Sequence, residues 1–567
     1  MSASQGSHGG GGTVSNDPTV RIIPLGGLGE IGLNMMVVES ADDLLVIDAG
    51  LMFPDEEMLG IDLVIPDMSY LRDRRQKVRA VLLTHGHEDH TGALPYVLAE
   101  LKVPVYGTPL SLGLAAEKLK EADLLSKADL RPVRPRDRLQ FGGFEVEFLR
   151  VSHSIPDGVA LAVRTPAGMI IHTGDFKFDQ SPVDAQLTDY RRLSELGDGG
   201  VLALLSDSTN AGRDGFTPSE RAVGRAFEEI FRSAPGRVIV ACFASNIHRI
   251  QQVLDVAATL GKQVAVTGKS MVANTRIADE LGYLRIPKGT LVSLEELKRL
   301  PAAQGVIITT GSQGEPLSAI ARIAAAEHKQ IQVAPGDTVI FSARVIPGNE
   351  TSIARTINRL FRQGARVITE EVAEVHVSGH ASREELKLMV NLTRPAFFVP
   401  IHGEYRHLYL HAALAREVGI PDGRALVIED GDILELSGKA AQVVGKAPAG
   451  RVFVDGKGFG NVDNGVLRER HRLAEDGVLV VVLGVDRHLG KLVAGPEILS
   501  RGLVSEQASE TLLDEIKALI FSVLERFSED EWADRLLMQD RIKTALKKHL
   551  QREIDRRPVI LPVMIEV

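Results

Sequence analysis

The stretch Arg79-Ala-Val-Leu-Leu-Thr-His-Gly-His-Glu-Asp-His90 decides how the rest of the chain is interpreted. Its first half has the apolar pattern of a buried β-strand. Its second half carries four side chains of metal-binding type within six residues, namely His85, His87, Asp89 and His90. Imidazole and carboxylate without thiolate are typical of an open catalytic site rather than a closed structural one. A polar loop with incidental histidines is the alternative, and the density of ligands directly after a strand argues against it.

Three more candidate ligands stand where an apolar strand pattern runs into a Gly- or Ser-containing turn. His153 follows Phe148-Leu-Arg-Val-Ser, Asp175 follows Met169-Ile-Ile-His-Thr-Gly, and His402 follows Phe397-Phe-Val-Pro-Ile. Side chains at the ends of adjacent strands can converge on one point although they are distant in sequence. A single histidine of this kind is usually a core or surface residue. The cluster at His85 to His90 is what favours a shared site.

Composition places the chain among soluble globular proteins of several domains. It has 567 residues, of which 44% are hydrophobic and 25% charged. The 65 basic and 75 acidic residues give a net charge of −10, so a polyanion would have to be bound by local positive potential. The single cysteine, Cys242, excludes an intramolecular disulfide and a Cys-rich zinc site, which fits a cytoplasmic location. No apolar run approaches the length of a membrane span, so no membrane association is expected.

The pattern of strands and helices changes along the chain. Residues 19–210 are dense in short β-patterns, whereas residues 211–371 repeat a strand, a Gly/Ser/Asn loop and a helix. Such repeats predict a parallel sheet with its loops gathered at one edge. Residues 372–450 return to short strands, and the Gly/Asp/Asn-rich stretch 451–476 has the composition of a linker. A small α/β unit, with two amphipathic helices between strands, is predicted for residues 477–567.

The motif set resembles that of the metallo-β-lactamase superfamily. The resemblance is carried by His85-Gly-His87-Glu-Asp89-His90 together with Asp48, His153 and Asp175. Asp207 in Leu205-Ser-Asp-Ser-Thr, His380 in Val377-Ser-Gly-His-Ala-Ser and His402 in Pro400-Ile-His-Gly-Glu resemble the β-CASP nucleases within it. Gly311-Ser-Gln-Gly-Glu-Pro, His376-Val-Ser-Gly-His380 and the C-terminal α/β unit look like bacterial ribonuclease J.

This resemblance implies an α/β fold. The expected architecture is a metallo-β-lactamase αββα sandwich with an inserted β-CASP α/β domain and a small C-terminal α/β domain. The expected boundaries are a disordered tail at 1–18, the first metallo-β-lactamase segment at 19–210, the β-CASP domain at 211–371, the second metallo-β-lactamase segment at 372–450, a linker at 451–476 and the C-terminal domain at 477–567.

The resemblance also implies a centre of two divalent metals. His85, His87 and His153 would hold one ion, Asp89, His90 and His402 the other, and Asp175 would bridge both as a catalytic carboxylate. Histidine-rich ligation favours Zn²⁺, and Mn²⁺ is the alternative for an Asp/His site at a phosphodiester. Asp48 would orient a ligand histidine from behind.

Two further residues are expected to act beside the metals. Asp207 would be a hydrogen-bonding residue of the catalytic set, and a turn cap within Ser206-Asp-Ser-Thr is its alternative. His380 would donate a proton to the leaving 3′-oxygen or hydrogen-bond a phosphoryl oxygen. The alternative for His380 is a cap of the helix that begins near Ser382.

Several neutral loops are candidates for contact with RNA phosphates. The proposed contacts are Ser245, Asn246, Ser312, Gln313, Gly314, His376, Ser378 and Gly379. Backbone amides at helix N-termini attract phosphate despite the net negative charge, but each loop alone is as well explained by helix capping. Phe243 could stack on a base or belong to the core. His248 and Arg249 are candidates for contact with the RNA backbone, with a position on the helix face as the alternative for His248.

The expected function is that of a metal-dependent ribonuclease acting by two-metal phosphodiester hydrolysis. The resemblance implies 5′-to-3′ exonuclease activity with preference for 5′-monophosphate RNA, plus endonuclease activity, in rRNA maturation and mRNA decay. The expected partners are single-stranded RNA, further copies of the chain in a homodimer or homotetramer, and RNA-degradation proteins. A small-molecule hydrolase of the same superfamily and a non-catalytic RNA-binding scaffold are the competing hypotheses. The inserted domain and the complete ligand set argue against them, whereas a DNA substrate stays open.

Overall fold

The computed structural model describes residues 17–55, 57–315, 317–346, 348–456, 458–460, 462–486, 489–504, 506–528, 531–532 and 534–567. The predicted disordered tail falls almost wholly outside these residues. The strands are β1 Val20–Gly26, β2 Leu28–Gly29, β3 Met35–Glu39, β4 Leu44–Ile47, β5 Leu63–Pro66, β6 Val78–Leu82, β7 Val105–Gly107, β8 Leu130–Pro132, β9 Arg138–Phe141, β10 Phe144–Arg150, β11 Val159–Thr165, β12 Gly168–His172, β13 Val201–Asp207, β14 Val238–Ala241, β15 Gln263–Thr267, β16 Gly305–Thr309, β17 Thr338–Phe341, β18 Arg366–Ile368, β19 Pro395–Ile401, β20 Gly403–Glu404, β21 Asp432–Leu436, β22 Ala441–Lys446, β23 Arg451–Asp455, β24 Gly458–Phe459, β25 Val478–Asp486, β26 Lys491–Arg501 and β27 Val559–Glu566.

The α-helices, in chain order, are α1 Ser69–Asp73, α2 Glu88–Thr91, α3 Leu94–Glu100, α4 Pro109–Glu121, α5 Tyr190–Asp198, α6 Arg221–Ser233, α7 Ile247–Thr259, α8 Lys269–Glu280, α9 Leu294–Leu297, α10 Ala319–Ala324, α11 Glu350–Arg362, α12 Arg383–Thr393, α13 Tyr405–Glu417, α14 Asn464–Asp476, α15 Glu506–Leu524 and α16 Arg535–Ile554. None of the helices in the described part of the chain is long and apolar enough to cross a membrane.

Two sheets form the centre of the first compact unit, which comprises residues 1–53 and 64–452. One has eight strands in the order β22-β21-β1-β3-β4-β6-β7-β8, and the other has six in the order β19-β13-β12-β11-β10-β9. Their facing side chains make one core, in which Ile22 and Val38 of the first sheet lie with Phe148 and Leu161 of the second. Helices α5, α12 and α13 cover the outer face of the six-stranded sheet. This arrangement confirms the predicted sandwich.

Strand direction explains why the candidate site residues meet. Strand β4 runs parallel to β6, and β12, β13 and β19 are mutually parallel neighbours. The loops after these strands therefore leave from the same edge of their sheets. Asp207, the last residue of β13, is in register with Ile401, the residue before His402.

The segment inserted between β13 and β19 contains the parallel sheet that its strand–loop–helix pattern predicts. Its five strands lie in the order β15-β16-β14-β17-β18, and every neighbouring pair is parallel. Apolar cores fill both faces of this sheet. The loop after β14, which leads into α7, and the loop after β17 both leave from its carboxyl edge.

The second compact unit comprises residues 54–63 and 453–567. Strands β26, β25 and β27 form a sheet in that order, and the predicted amphipathic helices α15 and α16 pack on one face of it. The stretch expected to be a linker instead contains β23 and the 13-residue helix α14. Asp463 caps this helix by accepting from Val466 N at 2.9 Å, and Leu467 is its buried residue. A helix that buries so few apolar residues leaves a weak periodic pattern in the sequence.

Candidate metal centre

The structure brings all seven proposed ligands into one cluster at the strand ends. Two groups have ligand atoms that all lie within 4.8 Å of one another. The first group is His85, His87, His153 and Asp175, and the second is Asp89, His90, Asp175 and His402. Asp175 is common to both groups, which is the arrangement expected of a carboxylate between two ions.

The distances within the groups agree with a shared centre. In the first, Asp175 Oδ2 lies 3.7 Å from both His85 Nε2 and His153 Nε2. In the second, Asp175 Oδ2 lies 3.3 Å from His90 Nε2, and Asp89 Oδ2 lies 3.5 Å from His402 Nε2. The imidazoles of the first group are close to one another as well, with His87 Nδ1 3.0 Å from His85 Nε2 and 3.2 Å from His153 Nε2.

Two buried atoms of the cluster are left without a hydrogen bond to any part of the chain that the structure describes. They are Asp175 Oδ1 and His402 Nε2, which lie 3.6 Å apart. A buried polar atom without a partner is costly, and a cation bound between these two atoms would supply the missing partner. The residues present therefore fit a pair of divalent ions.

Burial and neighbouring charges set the protonation of the cluster. Burial lowers the pKa of His85, His87 and His153, to about 4 for His87, so that these imidazoles are neutral and able to ligate. Burial also opposes protonation of His90 and His402, but the charge of Asp175 outweighs it and raises the pKa of both, to about 9 for His402. The electrostatic potential at the second group is thus more negative than at the first, and a negative potential attracts a cation.

Asp48 contacts His90 on the side of the ring away from the cluster, where the proposed orienting residue would act. Its Oδ2 lies 2.8 Å from His90 Nδ1, and Thr84 donates to the same carboxylate from both its amide and its hydroxyl at 2.8 Å. Because a carboxylate only accepts, Nδ1 carries the proton and Nε2 is turned toward the cluster.

A backbone carbonyl orients His153 in the same way. His153 Nδ1 donates to Gly379 O at 2.8 Å, which leaves Nε2 for the cluster. A Cβ on Gly379 would lie only 2.6 Å from His153 Cε1, so this close approach requires glycine. The Ser378-Gly379 loop therefore lies directly against a proposed metal ligand.

His380 and Asp207 form a hydrogen-bonded pair at the edge of the cluster. His380 Nδ1 lies 2.8 Å from Asp207 Oδ2, and Asp207 Oδ1 accepts from the amide and hydroxyl of Thr209 at 3.0 and 2.8 Å. Asp207 thus makes both contacts that the sequence left open, the turn cap and the hydrogen bond. Burial disfavours protonation of His380, but Asp207 raises its pKa above the usual value. The helix cap at Ser382 is made by Ser382 and Glu385, not by His380.

The backbone is strained at two of these positions. Asp48 has φ of 62° and His402 has φ of 55°, a region that residues other than glycine seldom adopt. Such strain persists where the surrounding structure imposes it and is concentrated at functional sites. Here it turns the backbone sharply at the strand end, which brings the His402 side chain into the cluster and the Asp48 side chain against His90.

The residues of the proposed phosphate loops differ in their burial and in their hydrogen bonds. Ser245 and Phe243 are half-buried, whereas Asn246 is buried and caps α7 by accepting from Arg249 N at 3.0 Å. Gln313 is buried, and its side chain binds Arg344 O and Ile346 N, both at 2.8 Å. That side chain therefore supports the neighbouring loop. Ser312 is buried too, and Gly314 N donates to Gly311 O at 2.9 Å.

The structure also shows where three further candidates for RNA contact lie, namely His376, Arg249 and His248. His376 is half-buried, with its Nδ1 enclosed and unpartnered within the described residues, and burial lowers its pKa. Arg249 was expected to reach the RNA backbone, and this is wrong because its side chain is fully buried. His248 is buried near Asp184, with 3.4 Å between Nε2 and Oδ2, which agrees with its alternative position on the helix.

Sequence reasoning missed Asn34, which belongs to the cluster. Its Nδ2 lies 3.0 Å from Asp89 O and 3.2 Å from His90 Nε2, so it supports the second ligand group. Asn34 ends the Gly-rich segment Gly26-Gly-Leu-Gly-Glu-Ile-Gly-Leu-Asn34. A glycine-rich turn between two strands was the available signal that another backbone segment approaches closely there.

Comparison with protein families agrees with this geometry. The family described as "Metallo-beta-lactamase superfamily" matches residues 28–241, and "Ribonuclease J, beta-CASP domain" matches 235–360. "Zn-dependent metallo-hydrolase RNA specificity domain" matches 364–421, and "Ribonuclease J C-terminal domain" matches 465–567.

Individual relatives are similar over nearly the whole chain. Ribonuclease J2 of Bacillus subtilis is 44% identical over 552 residues, which is 97% of this chain and 99% of that protein. Ribonuclease J of Thermus thermophilus is 44% identical over 557 residues, covering 96% and 95% of the two chains. A solved protein of unknown function from Enterococcus faecalis V583 aligns with a TM-score of 0.51 and 15% identity over 74% of this chain and 99% of its own, a likeness of fold alone.

Proposed function

The chain belongs to the ribonuclease J family and is a metal-dependent ribonuclease, and within that class we propose that it degrades RNA from the 5′ end, prefers a 5′-monophosphate, and also cuts internally. The same proposal assigns it to rRNA maturation and mRNA decay in the cytoplasm, together with other RNA-degradation proteins. The proposed domain boundaries are those expected from the sequence, except that residues 453–476 belong to the second compact unit and not to a linker.

The proposed 5′-end preference rests on one observation, the position of the Ser378-Gly379 loop between a proposed metal ligand and the start of α7. The Ser378-Gly379 loop binds the proposed ligand His153 through Gly379 O. The same loop is tied to the first turn of α7, since Arg249 Nη1 donates to Val375 O at 2.8 Å. The N-terminus of a 13-residue helix attracts phosphate, and the loop offers a hydroxyl and backbone groups beside it. A terminal phosphate bound there would lie next to the metal centre, which favours removal of nucleotides from that end.

We assign the metal ligands as the geometry groups them. His85, His87 and His153 would hold one divalent ion, Asp89, His90 and His402 the other, and Asp175 both. Zn²⁺ suits this donor set, with Mn²⁺ as the alternative. When bound, the two ions would supply Lewis-acid stabilisation of the phosphoryl group and an activated water.

The remaining chemistry belongs to side chains of the chain itself. Asp207 fixes His380 through Nδ1, so the opposite edge of the ring is free to reach the scissile phosphate. His380 would donate a proton to the leaving 3′-oxygen or hydrogen-bond a phosphoryl oxygen. Asp48 and Gly379 O would keep the ligand imidazoles of His90 and His153 in the required orientation, and Asn34 would hold the backbone carbonyl of Asp89.

The competing functions predict different substrates. A small-molecule hydrolase needs no inserted second lobe, whereas this chain has one and also matches an RNA specificity domain at 364–421. Phosphodiester cleavage measured against a chromogenic lactam separates these alternatives. Parallel RNA and DNA oligonucleotides of one sequence decide which sugar the site accepts, a preference that the ligand cluster does not encode.

The test uses one RNA labelled at either end and prepared with a 5′-monophosphate, 5′-triphosphate or 5′-hydroxyl. We expect 5′-labelled monophosphate RNA to yield labelled mononucleotide fastest. Ser378→Ala and Ser312→Ala should each reduce the preference for monophosphate more than the rate on 5′-hydroxyl RNA, with Ser437→Ala in an exposed turn as control. Equal wild-type rates on all three ends would refute the 5′-end proposal.

We further propose that the protein works as a homodimer or homotetramer. The outer face of the β26-β25-β27 sheet is apolar and exposed: Leu499 and Leu561 both pair with Val480, and Val563 and Ile565 continue the surface. The opposite face already packs on α15 and α16. A contiguous exposed apolar sheet face favours association, and a second copy of the chain supplies the same apolar surface.

A further inference from the structure

Arg249 is a buried cation for which the proposed mechanism has no role. It lies in the first turn of α7, and its side chain has no exposed surface. Nε and Nη2 donate to Glu220 Oε1 at 3.2 and 2.5 Å, while Nη1 donates to Val375 O at 2.8 Å and Ser342 O at 3.1 Å. Burying a charge is costly unless it is paired and hydrogen-bonded, and here all these conditions are met.

These contacts fix the start of the loop that contains His376, Ser378 and Gly379. Val375 O accepts a second hydrogen bond, from Ser342 Oγ at 2.7 Å. Lys177, also buried, donates to Ser378 O at 3.2 Å and lies 3.9 Å from Glu220 Oε2. Two buried cations that share one carboxylate therefore hold the Val375–Ser378 backbone from behind.

Arg249 also belongs to the other proposed phosphate loop. Its backbone amide donates to Asn246 Oδ1 at 3.0 Å, so the residue is joined to the Ser245-Asn246 turn by its main chain. Its guanidinium is joined to Val375 by its side chain. A single residue thus sets the separation between the two loops of the proposed pocket.

The His380 end of the same loop has different anchors. Asp207 holds the imidazole at 2.8 Å, and Asn210 and Thr217 donate to His380 O at 3.0 and 2.7 Å. Asn210 also donates to Ser378 Oγ at 2.8 Å, so it links the two ends of the loop, whereas Asp207 and Thr217 hold His380 independently of Val375. A disturbance at Val375 should therefore move the backbone before Ser378 more than it moves His380.

We propose that Arg249, paired with Glu220, is a positioning residue that sets the geometry of the 5′-phosphate pocket and thereby the preference for a 5′-monophosphate end. This inference rests on the proposed function. The guanidinium is suited to the role because its planar fork reaches Glu220 and Val375 O at once, in fixed directions. Lysine keeps the charge but offers a compact ammonium that cannot span both partners in the same geometry.

The experiment compares full-length Arg249→Lys with wild type on 5′-monophosphate and 5′-hydroxyl RNA. We expect the ratio of the two kcat/KM values to fall about tenfold or more, since a displacement of about 1 Å in a binding group can cost on the order of 10²-fold. The rate on 5′-hydroxyl RNA, the metal content and the circular dichroism spectrum should stay near wild type. A structural role alone would lower both rates together.

Arg237→Lys is the matched control. Arg237 precedes β14, at the opposite edge of the same sheet, and pairs with buried Asp337 at 2.6 Å while donating to Gln332 O. Arg237 likewise pairs with a buried carboxylate and a backbone carbonyl, although its side chain is 22% exposed, and it contacts neither loop, so its replacement should leave the ratio unchanged.

Ser342→Ala is the second variant, because it removes the hydroxyl that accepts from Arg249 Nη1 and donates to Val375 O, while Arg249 stays paired with Glu220. Ser342→Ala should also lower the ratio of kcat/KM on 5′-monophosphate RNA to that on 5′-hydroxyl RNA, by a smaller factor. If Arg249→Lys does not fold, Ser342→Ala alone tests the positioning role. An unchanged ratio in the folded variants, or equal losses on both RNAs, would refute the positioning role. A wild-type enzyme without end preference would refute the proposed pocket, and the inference with it.

Discussion

Replacement of His380 by alanine is the sharpest test of the assigned chemistry. The imidazole makes one side-chain hydrogen bond, to Asp207 Oδ2 at 2.8 Å, and its ring lies 5.0 and 5.4 Å from the rings of His153 and His402. The carbonyl of His380 keeps its bonds from Asn210 and Thr217 in the variant. The loop should therefore stay in place, and the change in rate can be assigned to the imidazole.

We expect His380→Ala to keep both ions and RNA binding but to lose about 10²–10⁴ in turnover, the usual contribution of a positioned acid or base. That loss corresponds to about 2.7–5.4 kcal/mol of transition-state stabilisation. Asp207→Asn should give an intermediate loss, because an amide can replace the size of the carboxylate but not its charge beside Nδ1. Single-turnover cleavage of 5′-monophosphate RNA measures the rate, and elemental analysis measures the bound metal.

A substrate with a better leaving group distinguishes the two roles of His380. If the residue donates a proton to the 3′-oxygen, a nitrophenyl phosphodiester should partly restore the rate of His380→Ala. Equal losses on both substrates would indicate stabilisation of a phosphoryl oxygen. Loss of an ion from a folded variant would refute the assignment and make His380 a ligand. That reading has a geometric basis, since Asp175, Asp207, His380 and His402 also have ligand atoms within 4.8 Å.

Three further predictions concern metal content, association and pH. Wild type should hold two divalent ions per chain at saturation, and His85→Ala should abolish hydrolysis and lower that content; full activity with one ion would contradict this. Leu561→Glu on the exposed sheet face should shift the mass seen by light scattering toward the monomer, whereas Leu536→Glu on α16 should not. Burial and the nearby Glu30 raise the pKa of Asp430 to about 7, so the native state binds a proton that the unfolded chain releases at lower pH. The contribution of Asp430 to the free energy of unfolding should fall as the pH rises from about 4 to 7. Asp430→Asn should therefore reduce the difference between the free energies of unfolding measured in urea at pH 5 and at pH 8.

The grouping of the proposed metal ligands could be predicted from the sequence because these residues lie in short, recognisable motifs. His85, His87, Asp89 and His90 lie in one loop, and His153, Asp175 and His402 each follow an apolar strand. Parallel strands bring such ends to the same edge, so topology alone makes them meet. The strained φ at His402 is a consequence of that placement and has no signature in the sequence.

Asn34 and Arg249 could not be placed in this way, because their roles depend on partners that are distant in sequence. Asn34 contacts Asp89 across 55 residues, and Arg249 contacts Val375 across 126. A basic residue in the first turn of a helix, after a Ser-Asn turn, has the pattern of a solvent-exposed phosphate contact. The acceptors Glu220, Ser342 and Val375 come from three other segments, and they convert that exposed position into a buried one.

The loop from Val375 to His380 shows how one short segment can serve two tasks. Val375 is anchored by Arg249 of the inserted lobe, whereas His380 is held by Asp207 at the end of β13 and by Asn210 after it. Gly379, between the two, contacts the proposed ligand His153. A substitution behind Val375 should change which RNA ends are accepted, whereas one behind His380 should change how fast the phosphodiester is cut. Because Val375 and His380 have separate anchors, we expect the proposed end preference to respond to substitutions that leave the proposed metal ligands in place.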